Sequence, residues 1–156
     1  LSSEKKNGYH DYIRYESWAE EVENLIDEFA YKLKQLKANG VSIAAFGASA
    51  KGNTLLNACY LNDGTIDYIV DDTPEKIGKF SPGTGIPIVD RSTLMESPPD
   101  YLVILAWNFA REIIDSVADF HRGGGKFIIP VPKFEIVAWS IFIQYETGSN
   151  KEKFSE

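Results

Sequence analysis

Between Gly47 and Gly52 the chain reads Gly-Ala-Ser-Ala-Lys-Gly, with the first and third glycines of the G-x-G-x-x-G fingerprint and Ser49 in the second place. An apolar run, VSIAAF (41–46), precedes it and a helical pattern, TLLNACYL (54–61), follows, so the segment reads as a turn from strand to helix. In such a turn the first glycine allows a tight bend and the last lets helix and strand pack closely. The helix start then offers N–H groups without intrahelical partners, backed by the positive end of the macrodipole, and that combination holds phosphate. Ser49 narrows the point of closest approach and shifts a pyrophosphate from its place in an ordinary dinucleotide site. The glycine spacing also matches a P-loop, but Asn53 stands where that motif needs lysine, which excludes its NTPase chemistry. Lys51 can still reach a phosphate oxygen as a point charge. The phosphate reading takes in Gly47, Ser49, Ala50, Lys51, Gly52, Asn53 and Thr54; the bland reading is that the glycines merely let the chain turn.

Three further places could border the same ligand. Asp71 follows the apolar run IDYIV (66–70), where an acidic residue receives ribose hydroxyls in dinucleotide folds; it serves equally well as a cap of the next turn. Pro82, Gly83 and Thr84 lie in the Pro- and Gly-rich stretch 72–87, which predicts a long ordered loop. Trp107 and Asn108 end the run YLVILAW (101–107), at the strand edge where open α/β sheets bind ligands, and Asn108 also suits the N-cap of the next helix. Glu112 fits the first turn of that helix, His10 and His121 read as surface residues, and Cys59 reads as core. No HExxH, GxSxG or convincing carboxylate pair is present, and a lone cysteine supports neither a disulfide nor a Cys-rich zinc site.

These residues need a scaffold, and the periodicity supplies one. Ser17 and Glu20 have capping-box spacing, and Trp18, Val22, Leu25, Ile26, Phe29, Leu33 and Leu36 form one apolar stripe, predicting a helix over 17–39 closed by Asn39-Gly40. Strands are predicted at 41–46, 66–70, 86–89, 101–107 and 126–131, with helices from the 47–53 turn to 61, at 91–96 and at 109–122, the last with Phe109, Ile113, Val117 and Phe120 on one side. Residues 135–146 fit a final strand or a docking helix. This order calls for a Rossmann-like three-layer sandwich with a mostly parallel sheet behind a long N-terminal helix. Residues 1–14 read as a linker or tail, 15–146 as one domain and 147–156 as a flexible tail.

The chain of 156 residues carries a formal charge of −7, which disfavours a nucleic-acid partner. No apolar run is long enough for a membrane span, no secretory signal is evident, and the single cysteine suits a reducing cytoplasm. The chain starts without Met and reads as a piece of something longer.

Four blocks, GASAKGNTLLN (47–57), VDDTPEKIGKFSPGTGIPI (70–88), PDYLVILAWNFAREII (99–114) and GGGKFIIPVP (123–132), together resemble the C-terminal domain of the SAM-dependent sugar C-methyltransferases. The resemblance covers most of residues 15–135. It implies a transferase whose S-adenosylmethionine is bound by another domain of the same polypeptide, with no cofactor in this segment. It further implies a nucleotide-linked keto-sugar lying between that SAM-binding domain and this one, and catalytic acid–base residues mainly outside this segment, which alone is inactive. Such a transfer needs a carbanion or enolate beside the keto group, then in-line attack on the methyl. Where family members often carry Arg-Asn after the first Asp, this chain has Asp72-Thr73, so neither inherits a sugar- or nucleotide-specific role. Alternatives are an NAD(P)-binding oxidoreductase domain and a non-catalytic docking module.

Overall fold

A computed structural model describes residues 12–137 of the chain. Helix α1 runs from Tyr12 to Ala38. It is followed by β1 (Ile43–Phe46), α2 (Ala50–Ala58), β2 (Ile69–Val70), β3 (Ile88–Val89), α3 (Thr93–Glu96) and β4 (Tyr101–Ile104). A 3-10 turn (Trp107–Phe109), α4 (Ala110–Ser116), α5 (Ala118–Arg122), β5 (Lys126–Ile129) and β6 (Glu135–Val137) complete the described part.

The six strands lie in the order β3-β2-β1-β4-β5-β6, parallel except for β6, which pairs antiparallel with β5. The central strands β1 and β4 are almost wholly buried, as continuous apolar runs covered on both faces must be. On one face Phe29 and Leu33 of α1 and Leu55 and Leu56 of α2 meet Ile43, Ala45, Ile69, Val103 and Ile128. On the other, Ile114, Val117 and Phe120 pack with Leu94 against Ala44, Phe46, Leu102, Ile104 and Phe127. Two helical layers around one sheet make the three-layer sandwich that the pattern of elements predicts.

Local differences from the sequence expectations have physical causes. Helix α1 begins at Tyr12, so Ser17 and Glu20 lie inside it and the capping-box reading fails. Residues 12–14, read as linker, are helical; residues 1–11 and 138–156 lie outside the described part, including His10 and the end of the ambiguous 135–146 run. The beginning of that run is a strand, because β6 can hydrogen-bond along the free edge of β5. The stripe of α1 enters the core only from Leu25 onward, and Trp18 remains 63% exposed. The predicted helix 109–122 is two helices, broken at Val117 where ψ is 33°. Phe109 then falls outside the packed face and stays exposed. His121, expected at the surface, is buried: its Nδ1 lies 2.8 Å from the Gly125 carbonyl and its ring against Phe127. Cys59 is core as expected, and burial pushes its thiol up to about 11, with Lys34 opposing the shift and Asp27 adding to it.

Candidate functional site

The strand order reverses direction at β1: β2 lies on one side of it and β4 on the other. In open α/β sheets the crevice beyond the carboxyl ends of the strands at such a switch point is the ligand position. Here the crevice is bounded by the turn after β1 and the turn after β4, which abut. Gly47 has φ +92°, and a Cβ on it would stand 3.1 Å from Ala106 Cβ, so both conformation and contact require glycine. A Cβ on Gly52 would meet Leu105 Cβ at 2.6 Å, which is the close helix–strand packing expected of the last fingerprint glycine. Ser49 Oγ also lies 3.4 Å from the Leu105 carbonyl, to which it donates.

Ser49 is the N-cap of α2: its side chain accepts from Gly52 N–H at 3.1 Å and its carbonyl from Asn53 N–H at 2.9 Å. Gly47 N–H donates to the Val70 carbonyl, Ser49 N–H to the Gly47 carbonyl, and Ala48 N–H to Asp71 Oδ2 at 2.7 Å. The turn is therefore less open than its sequence implies. Only the N–H groups of Ala50 and Lys51 are left without a hydrogen-bond partner among the described residues. Both residues are exposed, and the Lys51 ammonium forms no ion pair among the described residues. N–H groups left over at a helix start, with the positive end of the macrodipole behind them, are the general setting in which proteins hold anions. Thr54 Oγ1 donates back to the Ala50 carbonyl, and Asn53 Oδ1 is buried without a hydrogen-bond partner among the described residues.

Asp71 is 6% exposed and engaged by its own protein. Besides Ala48 N–H it accepts Thr73 N–H at 2.9 Å and Lys76 Nζ at 3.1 Å, and Lys76 Nζ also donates to the Ala48 carbonyl at 3.0 Å. Burial raises the pKa of this carboxyl, but the hydrogen bonds from Thr73, Lys76 and Ala48 outweigh it and hold the group below the ordinary carboxylate value. Of the two readings of Asp71, the turn-capping one is realised through Thr73. Lys76 adds something the spacing did not reveal: a clasp across the β1 and β2 ends, where an adenosine ribose would lie in a dinucleotide fold. Residues of this chain therefore do not fit the ribose of an adenosyl cofactor at Asp71.

Asp72 is likewise committed, receiving the guanidinium of Arg91, which also donates to the Ser116 carbonyl and hydroxyl, each at 3.1 Å. Arg91 lies over the Phe46 ring with 5.1 Å to its centroid. Lys76 and Arg91 were not singled out by sequence; a cation five residues after Asp71 and another two after β3 were the available signals.

Residues 82–85 fold into a tight turn against α2. Asn57 Nδ2 donates to the Pro82 carbonyl at 3.1 Å, which places the turn about two helical turns along from Ala50. Thr84 is buried, with its hydroxyl paired to Ser81, so Pro82, Gly83 and Gly85 are the parts this turn exposes. After β4, Trp107 is half-buried and packs against both core clusters, straddling the sheet edge. Asn108 is exposed within the 3-10 turn; α4 starts after Phe109 without a side-chain cap, so Asn108 does not cap it. Glu112 does occupy the first turn of α4. No group of His, Cys, Asp and Glu among the described residues could hold a metal ion, and no described helix is long and apolar enough to cross a membrane.

The fold and this edge define a Rossmann-like domain with two N–H groups, those of Ala50 and Lys51, left over at its switch point among the described residues. A family model described as the C-methyltransferase C-terminal domain matches residues 1–132. The chain belongs to that family. It is also similar to the C-methyltransferase NovU of Streptomyces niveus, 35% identical over 138 residues, which cover 88% of this chain and 33% of that protein. The chain thus spans about a third of the length of that curated relative.

Proposed function

We propose that this domain positions a nucleotide-linked keto-sugar for carbon methylation by a longer S-adenosylmethionine-dependent transferase, acting through binding rather than proton transfer. The observation that carries the reading is the pair of unpartnered N–H groups at Ala50 and Lys51, at the carboxyl edge of β1. They hold one phosphate of the diphosphate, and the Lys51 ammonium adds a point charge. Trp107, Asn108, Pro82 and Gly83 contribute the surrounding surface. The methyl donor and the acid–base groups belong to the rest of the polypeptide, and the compartment is the cytoplasm.

The NAD(P) reading is disfavoured by Lys76, whose ammonium sits on Asp71 and the Ala48 carbonyl in the place of a ribose. The docking-module reading has one observation in its favour: five amides of the 47–53 turn are satisfied internally.

In the full-length enzyme, Lys51→Ala should raise KM for the nucleotide-sugar about tenfold, the loss of one charge-assisted contact worth about 1.4 kcal/mol, with kcat little changed. A fluorescence titration should show binding of a nucleoside diphosphate sugar and none of NADH. Unaltered KM in Lys51→Ala, with no thermal protection of the wild type by the sugar nucleotide, would leave the docking module as the function.

A further inference from the structure

We infer that the exposed amino-terminal half of α1 is the docking face for the polypeptide that precedes this domain in the full-length enzyme. This rests on the family assignment and on the reading of the chain as part of a longer transferase, but not on where the sugar binds.

Residues 14–24 of α1 are all exposed, and packing onto the sheet begins at Leu25 and Ile26. Residues 16–24, about two and a half turns of helix, pack on neither core cluster among the described residues. A segment of that length is marginal in water, because helices draw most of their stability from a buried apolar face rather than from propensity. The outer half has such a face. Trp18 and Val22, four residues apart, continue the stripe that runs on through Ile26 and Phe29 into the core, yet they are 63% and 38% exposed. One stripe thus serves two partners in succession: the sheet of this domain, then a surface beyond it.

The charge pattern selects that surface. Between Tyr12 and Asp27 there are five acidic residues, Glu16, Glu20, Glu21, Glu23 and Asp27, against the single base Arg14. Two copies laid helix to helix would bring acidic flanks together, which opposes self-association. The matching surface is an apolar strip with a basic rim. The relative that this chain resembles has about two thirds of its length outside the aligned region, and the family is a C-terminal domain, so the polypeptide ahead of it is the occupant with the length to supply such a strip.

Amide hydrogen exchange over residues 14–24 tests this, measured in the full-length enzyme and in the 156-residue chain. Exchange at least tenfold slower in the full-length enzyme, abolished there by Trp18→Glu while melting of the 156-residue chain is unchanged by the same substitution, is the expected result. Equal, fast exchange in both would overturn the inference. Slow exchange in both would overturn it too: light scattering would then assign the cover to a second copy, if the chain is dimeric, or to its own residues 138–156, if monomeric. A nucleotide-sugar titration of the Trp18→Glu enzyme keeps the two readings apart, since lost docking with retained affinity spares the sugar site, and retained docking with no affinity spares the interface.

Discussion

The two turns that flank the crevice, after β1 and after β4, are built on opposite plans. In the first, residues 47–53, hydrogen bonds to Val70, Asp71 and Ser49 fix the backbone, and the main-chain donors left over among the described residues are those of Ala50 and Lys51 at the start of α2. In the second, residues 106–109, the backbone is a short 3-10 turn and Asn108 and Phe109 stand exposed without capping anything. On the function proposed above, rigidity in the first turn would suit recognition of an invariant group, a phosphate, whereas exposed side chains in the second would vary with the sugar. Apart from Lys51, whose side chain is exposed, substitutions should therefore act on stability at the first turn and on ligand preference at the second.

The largest effect should come from Gly52→Val. The added atoms cannot coexist with Leu105, so the loss should be about 3 kcal/mol, seen as a fall in melting temperature of about 10 °C. This makes Gly52 a poor probe of ligand binding, since packing fails first. Asp71→Ala comes next, leaving the N–H groups of Ala48 and Thr73 without their acceptor and Lys76 with the Ala48 carbonyl alone, at about 2 kcal/mol by denaturant unfolding. Because the Asp71 pKa is lowered on folding, its ionised form stabilises the fold above the ordinary carboxylate value of 3.8, and that stability is lost as pH falls through the folded value. Asp71→Asn should accordingly flatten part of the acid limb of a stability–pH curve; an unaltered limb would show that the clasp contributes nothing. Smallest in stability terms is Asn108→Ala, within about 0.5 kcal/mol of wild type by melting. If it cost as much as Asp71→Ala, the contrast between the turns would collapse.

The strand–turn–helix context of residues 47–52 was legible because it depends on local rules: an apolar run, glycines at fixed offsets, then a helical pattern. The same is true of the sheet, whose central strands were visible as apolar runs. Openness of the turn was not legible. Seven residues were expected to present a ligand-facing backbone, and two donors remain, because Ser49 acts as cap and Asp71 reaches Ala48 across 23 residues of sequence. Likewise Trp18 and Val22 share a stripe with Phe29, but periodicity cannot tell which part of a stripe a given sheet is wide enough to cover.

Local chemistry and spacing thus determined the class of fold, the position of the switch-point turn and the need for glycine at Gly47 and Gly52. The tertiary structure alone decided which of that turn's donors stay free, that Lys76 closes over Asp71, and that Arg91 takes Asp72. The reason is physical: periodicity and capping are governed by neighbours a few residues apart, whereas the partner of a buried carboxylate is whichever donor the folded loops bring within about 3 Å.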